Sequence, residues 1–376
     1  MKISLIIPVY NRPQETEELL ESLSRQSRRD FEVVIVEDGS APELTSATVV
    51  ERFRDRLDIL DILYITQPNG GPAAARNTGA AGAHGDFFVI MDSDCIVPPE
   101  YFERVYDELE SHDIEFFGGP DSADANFTPL QKAVSYSMTS LFTTGGIRGN
   151  KLSLDNYTPR SFNLGISRRL YESVGGFSDM RIGEDIDFSL RVKATGTRAV
   201  FLPQAAVYHK RRTSIRLFFK QVFIFGTARI NLNIRHPKSV KLLYTLPALF
   251  TVGSAALAVA AMCCSKWFLL TASAVTLLWA TSSIGIFGGL LLALFAAFYA
   301  PAWFSVPFWV LMLLWFTDST IRNRSIRIGW LSIWTSFIQL YGYGLGFLYG
   351  IWMRYIRHKD EPYTYRVTKF FNGPRK

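Results

Sequence analysis

At 376 residues the chain exceeds a typical single domain, so at least two structural units are expected. Its net charge of +6 does not point to nucleic acid, because the Lys and Arg residues gather around 209–241 and after 354, flanking an apolar block. Three cysteines, with Cys95 solitary and Cys263 and Cys264 adjacent in that block, argue against a disulfide or zinc framework.

The N-terminus reads MKISLIIPVYNR, where the apolar stretch is shorter than a signal-peptide core, ends at Pro8 and lacks a small-residue cleavage site. The soluble part is therefore expected in the cytoplasm. Apolar runs at Ile3–Ile7, Phe31–Val36, Leu63–Ile65 and Phe87–Met91 alternate with helical patterns at Glu15–Leu23 and Ala73–Ala83. That alternation predicts a mostly parallel sheet with crossover helices. The unbroken runs VVIV and FFVIM read as strands buried on both faces. Three runs end in polar or acidic residues, at Tyr10-Asn11, Glu37-Asp38 and Asp92-Ser93-Asp94. Ligands of open parallel sheets bind beyond the carboxyl ends of the strands, so these clusters predict one crevice.

Further along, a helix is expected from Pro98-Pro99-Glu100 to about Leu109, and 118–160 reads as Gly/Ser/Thr-rich loops and short helices around the site. A helix at Tyr171–Val174 ends at Gly175-Gly176, and another at Asp185–Ala194 ends at Gly196. Arg198–Leu202 reads as a strand, followed by Val207-Tyr208-His209 and the cations Lys210, Arg211 and Arg212.

In MDSDC, residues 91–95, one carboxylate can reach a ribose or phosphate while the other takes a hard divalent cation through oxygen. VEDGS, residues 36–40, puts a second acidic pair at a strand end, and PVYNR, residues 8–12, adds an aromatic and an amide near a helix N-terminus that favours phosphate. Each alone is equally a turn or a helix cap. Their meeting at adjacent strand ends favours a binding site.

PVYNR, VEDGS, GGPAAARNTGA, MDSDCIVPP and NLGISRRLYESVGGFSDMRIGEDIDFSLR, in this order and spacing, resemble a family 2 glycosyltransferase over about 1–215. The resemblance implies the GT-A fold: a Rossmann-like, mostly parallel α/β sheet with flanking helices. It matches Pro8, Tyr10 and Asn11 to the first nucleotide-binding segment and Asp38 to the acid that reads the base, with Glu37 standing where the family more often has Asp. Arg76 and Asn77 match the signature near the donor. Asp92 matches the ribose or phosphate contact and shares with Asp94 the site of a divalent metal, Mn²⁺ or Mg²⁺. Glu184-Asp185 matches the acidic pair near the acceptor, with Asp185 as the expected general base and Glu184 as neighbour or alternate. Attack by an alcohol on an anomeric carbon needs such a carboxylate to take the hydroxyl proton, and a second acid beside it raises its pKa. The pair also suits the N-terminal dipole of the helix that it opens. His209 resembles a histidine that completes the metal shell. Arg211 and Arg212 suit the departing diphosphate or, equally, anionic lipid.

From Leu242 to Thr317 the one formal charge is Lys266. Leu243–Met262, Trp267–Phe316 (room for two) and Trp330–Met353 predict three to four membrane spans, with Gly-rich 342–350 suited to close helix approach. A basic tail over 354–376 is then cytoplasmic, although Arg322, Arg324 and Arg327 fall in an external loop against the positive-inside tendency. The stretch 214–237, with Phe218, Phe219, Val222, Phe223 and Phe225 among cations, reads as an interfacial amphipathic helix or a helix of the domain core.

The expected architecture is a GT-A domain over 1–235, with a nucleotide-sugar half at 1–117 and an acceptor half at 118–212, followed by transmembrane helices over 242–353. The expected chemistry is inverting, metal-dependent transfer from a UDP- or GDP-linked sugar to a lipid-linked glycan at the bilayer, in a multi-pass protein of the inner membrane. A polyprenyl-phosphate glycosyltransferase and a catalytically silent nucleotide-binding scaffold are the alternatives. A processive synthase is disfavoured by the absence of a QxxRW-type motif after His209, and a nucleotidyltransferase by the absence of a basic Gly-rich phosphate loop.

Overall fold

The computed structural model describes residues 1–54, 61–122, 127–144, 157–180, 182–210, 212–237, 239, 241–278 and 305–359. Seven strands form the main sheet: β1 (Ile3–Val9), β2 (Phe31–Asp38), β3 (Ile62–Gln67), β4 (Phe87–Ile90), β6 (Phe116–Gly118), β8 (Leu164–Ser167) and β9 (Val200–Phe201). Their order is β3-β2-β1-β4-β8-β6-β9. The first four are parallel, and β8 runs antiparallel to both β4 and β6. Alternation along the strands builds two cores. Ile3, Leu5, Ile7, Val33 and Ile35 face α1 (Pro13–Ser24), α2 (Ala47–Arg54) and α4 (Tyr101–Ser111). Ile6, Val34, Val36, Phe88 and Ile90 face α3 (Pro72–Gly82), α7 (Arg168–Ser173) and α8 (Glu184–Ala194). Burial on both faces explains the unbroken apolar runs.

A small second sheet, β5 (Cys95–Ile96), β10 (Val207–His209) and β7 (Asp121–Ser122), sits at the carboxyl edge. Its antiparallel register pairs His209 with Cys95, bringing the end of β10 beside Asp94.

The C-terminal helices are α9 (Ile215–Arg235), α10 (Leu242–Leu278), α11 over 305–323 and α12 (Ile326–Ile351), and they close over α5 (Pro129–Thr139) and α6 (Leu141–Thr144). Thr335 donates to the Ala133 carbonyl at 3.0 Å, the Trp315 indole to Phe142 at 3.2 Å, and the Tyr136 hydroxyl to Asp318 at 2.9 Å. The long helix α9 belongs to this packing. Its Phe218 and Val222 are buried with Val134 and Met138, so the phenylalanine-rich face expected at a membrane surface is covered by protein. Glycines set the α9–α12 distance. A Cβ at Gly226 would strike the Tyr343 carbonyl, and one at Gly346 the Phe223 carbonyl, which is the close approach that the Gly-rich 342–350 predicted.

Among the described residues one segment, Leu242–Cys263, is long and apolar enough to cross a membrane, with mean hydropathy 1.9. Of the expected three to four spans, this one has a candidate helix among the described residues. The span expected at Trp330–Met353 is α12, which buries Thr335, Gln339, Gly342 and Gly346 against its neighbours. Most of the Trp267–Phe316 expectation, with the tail beyond 359, lies outside the described residues or their described side chains.

Candidate active site

One cavity of about 890 Å³ opens at the carboxyl ends of β1, β2 and β4 and continues beneath α9, α10, α11 and α12. Its wall includes Pro8, Tyr10, Asp38, Arg76, Asp92, Asp94, Glu184, Asp185, His209 and Arg212, so strand-end residues from both halves converge as predicted. A largely preformed concave site of this size with few convergent polar groups is the usual form of a small-molecule site.

Arg76 is the hub. It projects from α3, is 3 % exposed, and donates to Asp92 and Glu184, each at 2.8 Å, and to the Ser161 hydroxyl at 2.9 Å. A buried guanidinium needs such partners, and here they join the acid beyond β4 to the acidic pair that opens α8. Glu184 and Asp185 open α8, where the helix dipole favours them. Asp185 accepts from Arg160 at 3.2 Å and from the Ile186 amide at 2.8 Å. Burial pushes the Glu184 carboxyl up to about 6 against the pull of Arg76, with the Asp185 charge adding to the rise. Asp185 also feels burial, but Arg160 and Arg76 override it and hold its carboxyl below the ordinary value. The arrangement thus favours the ionised form of Asp185.

Asp94 accepts from the Arg12 guanidinium at 2.5 Å and from His209 Nε2 at 3.1 Å. Burial opposes its ionisation, yet His209 and Arg12 hold the carboxyl well below the carboxylate range. Asp94, Cys95 and His209 bring one donor atom each within 4.8 Å of one another. Burial lifts the Cys95 thiol far up, and it points to the Phe162 carbonyl at 3.5 Å, so it is a protonated side chain of the core behind the site. The carboxylate and the imidazole fit a hard divalent cation. His209 Nδ1 is buried without a hydrogen-bond partner, and its ring stacks on Phe162 with centroids 5.1 Å apart. Asp92 was expected to share the metal. It is turned instead to Arg76, outside the Asp94–His209 cluster.

Asn11, Glu37 and Asn77 are not brought to the cavity wall. The Asn11 Oδ1 accepts from the Ala41 amide at 2.8 Å, and its own amide donates to Ser40, bracing the β1 end against the loop after β2. Glu37 accepts from the Ser46 amide at 2.8 Å, the Tyr64 hydroxyl at 3.0 Å and Ser40. The Asn77 amide bonds the Phe177 backbone in both directions, at 2.8 Å each way, and accepts from Tyr171. Each polar side chain is consumed by the scaffold, which explains the correction. Arg211 lies outside the described residues. Arg12, Arg160 and Ser161 were given no role from sequence; Arg12 sits inside the PVYNR motif, whereas 118–165 holds no diagnostic pattern.

Comparison with known proteins agrees with this geometry. Residues 4–175 match the family model Glycosyl transferase family 2. The chain is 29% identical over 192 residues to an uncharacterized glycosyltransferase of Haemophilus influenzae, covering 50% of this chain and 61% of that protein. It is 26% identical over 254 residues to the glycosyltransferase AglE of Haloferax volcanii, covering 67% of this chain and 80% of that protein. Among solved structures, the mannosyltransferase PcManGT of Pyrobaculum calidifontis, in complex with GDP-Man and Mn²⁺, shares the fold at a TM-score of 0.55 and 20% identity, over 80% of this chain and 87% of that one. Its mixed sheet with flanking helices is of the GT-A type.

Proposed function

From strand-end acids that meet in one cavity, in a chain whose residues 4–175 match the family 2 glycosyltransferase model, we propose that the chain transfers a sugar from a nucleoside diphosphate sugar to a hydroxyl acceptor at a membrane, with inversion. The observation that carries the reading is the Arg76 bridge, which fixes Asp92 and Glu184 at 2.8 Å each and so places a donor-side acid and the acceptor-side pair around one volume. Tyr10, Asp38 and Asp92 line the donor side, and Arg212 lies close enough to Asp94 and Asp92 to feel their charge. Asp94 and His209 would hold Mn²⁺ or Mg²⁺, an ion that supplies positive charge to the diphosphate as it leaves. Arg212 adds a guanidinium for the same oxygens. Asp185 takes the acceptor proton once the acceptor hydroxyl displaces Arg160 from it. GDP-mannose and Mn²⁺, held by the structural relative, are a donor and an ion of the class assigned here.

The acceptor side supports a membrane-linked substrate, a lipid-linked glycan. The cavity runs from Asp185 to Leu243, Leu246 and Phe250 of α10. Outside, Leu249, Val252, Val259 and Met262 on α10, with Trp309 and Leu313 on α11, form an exposed apolar belt suited to a bilayer. We place the protein at the membrane through the Leu242–Cys263 segment, with the catalytic domain cytoplasmic.

Protein purified in neutral detergent, incubated with Mn²⁺ or Mg²⁺, nucleotide sugars and membrane lipid extract, is expected to release a nucleoside diphosphate. Asp94→Asn and Asp185→Asn should each lose that release. No release from any donor, together with no metal-dependent nucleotide binding, would leave the scaffold reading.

A further inference from the structure

Most cations of the cavity are paired: Arg12 with Asp94, Arg76 with Asp92 and Glu184, and Arg160 with Asp185. Arg229 differs. It lies on α9 beneath the C-terminal helices, is 8 % exposed, faces the cavity, and has no described carboxylate as partner. Its guanidinium lies 3.9 Å over the Tyr244 ring of α10 and beside Tyr343 of α12. Arg229 Nε is buried without a hydrogen-bond partner, the Tyr343 hydroxyl meets this guanidinium and has no other described hydrogen-bond partner, and both residues, with Gln339, line this cavity. Buried polar groups are ordinarily satisfied and a buried charge is ordinarily compensated. A buried guanidinium with an unpartnered Nε and no described carboxylate beside it, next to a hydroxyl that can donate, therefore marks the place of an anion. The surroundings are apolar: Leu243, Leu246, Pro247, Phe250 and Trp315 continue the wall.

We propose that Arg229, with Tyr343 and Gln339, forms a second anion subsite, separate from the Asp94–His209–Arg212 end, that binds the phosphate of an amphiphile whose apolar chain follows α10. The inference rests on the transferase reading, of which it defines the acceptor class. Phosphate suits the guanidinium because its oxygens match the forked donors, and the Tyr343 hydroxyl supplies a further donor. The Tyr244 face holds the guanidinium in place when the anion is absent. Two anions in one cavity need two separated cations, and Arg212 near Asp94 and Arg229 near Tyr244 provide them.

The test is equilibrium binding of radiolabelled farnesyl phosphate to the full chain in neutral detergent, with farnesol, inorganic phosphate and short-chain phosphatidic acid as competitors, and with nucleoside diphosphate affinity measured in parallel. Wild type should bind farnesyl phosphate saturably, with farnesol and inorganic phosphate poor competitors. Strong or weak competition by phosphatidic acid assigns a glycerolipid or an isoprenoid source. Arg229→Gln should weaken farnesyl phosphate by about tenfold or more, the scale of a lost charge-assisted hydrogen bond, while Arg229→Lys keeps part of the affinity and the nucleoside diphosphate affinity stays unchanged. Leu246→Trp, which narrows the apolar arm and leaves the cation, should also weaken farnesyl phosphate alone. Unchanged farnesyl phosphate binding in Arg229→Gln, or an equal fall in nucleoside diphosphate affinity, overturns the subsite. Wild type that binds farnesyl phosphate but no nucleoside diphosphate would instead sink the transferase reading and leave the subsite standing.

Discussion

Two acidic strand ends look alike in the sequence and differ in the fold. At the end of β2, Asp38 accepts from the Gly70 and Gly71 amides at 2.8 Å each, from Gln67 at 2.7 Å and from Asn69 at 3.2 Å, all belonging to the end of β3 and the loop that leads from it into α3. Beyond β4, Asp92 and Asp94 are held by the side chains of Arg76, Arg12 and His209. An acid bound by backbone amides of its own loop is a fixture of the scaffold. An acid bound by a partly exposed cation, as Asp94 is by Arg12, can exchange it for a ligand. The chemistry accordingly lies at the second strand end, and Asp38 shapes the wall that a base would meet.

The largest separation between the two kinds of acid is expected in turnover. Asp185→Asn should lower it by about 10²–10⁴-fold, the range for loss of a positioned base, with a thermal midpoint close to wild type. Loss of fold in Asp185→Asn would return that acid to the scaffold class. Next is Arg76→Met, which strands Asp92 and Glu184 beside each other and should cost about 3–5 kcal/mol of stability in denaturant or thermal melts. A melt close to wild type would show that Arg76 is exchangeable, like Arg12. Gly346→Leu should destabilise by about 1–3 kcal/mol or more, because α9 and α12 must part. The loss is expected in the same transition that unfolds the catalytic domain, since the helices share its hydrogen bonds. A separate transition would break the unity of the two layers.

Asp38→Asn is expected to cost about 1–3 kcal/mol, as two backbone amides lose a charged acceptor, and to spare metal-dependent nucleotide binding more than Asp94→Asn does. The smallest effect is in pH. The Glu184 carboxyl is raised by burial from 4.5 to about 6, so the fold favours its neutral form. Its contribution to stability is full below 4.5 and is lost as pH rises through about 6. Thermal melts of wild type should therefore weaken over that window relative to Glu184→Gln. Parallel curves would place Glu184 with an ordinary carboxyl.

The sheet was legible because its strands are buried on both faces, so VVIV and FFVIM read as unbroken runs and their polar ends marked the crevice. Asp92, Asp94, Glu184 and Asp185 were legible as short motifs at element ends. Asn11, Glu37 and Asn77 misled because a polar residue at a strand end serves a ligand or a loop equally well until its partners are known. Arg160 and Arg229 were hidden for the opposite reason. One sits in a stretch without pattern and the other on a helix that reads as interfacial, and only packing against α10 and α12 turned Arg229 inward. The helical layer shows the same limit, because an apolar residue signals burial without saying whether protein or lipid covers it.

The most direct test of the account is calorimetric titration of UDP and GDP, with and without Mn²⁺, into wild type and Asp94→Asn in neutral detergent. Wild type should bind one nucleotide with a clear gain from the metal, and Asp94→Asn should lose that gain while keeping its fold. Metal-independent binding that is identical in both proteins, or no binding of either nucleotide, would contradict the assignment of Asp94 and His209 to the donor site.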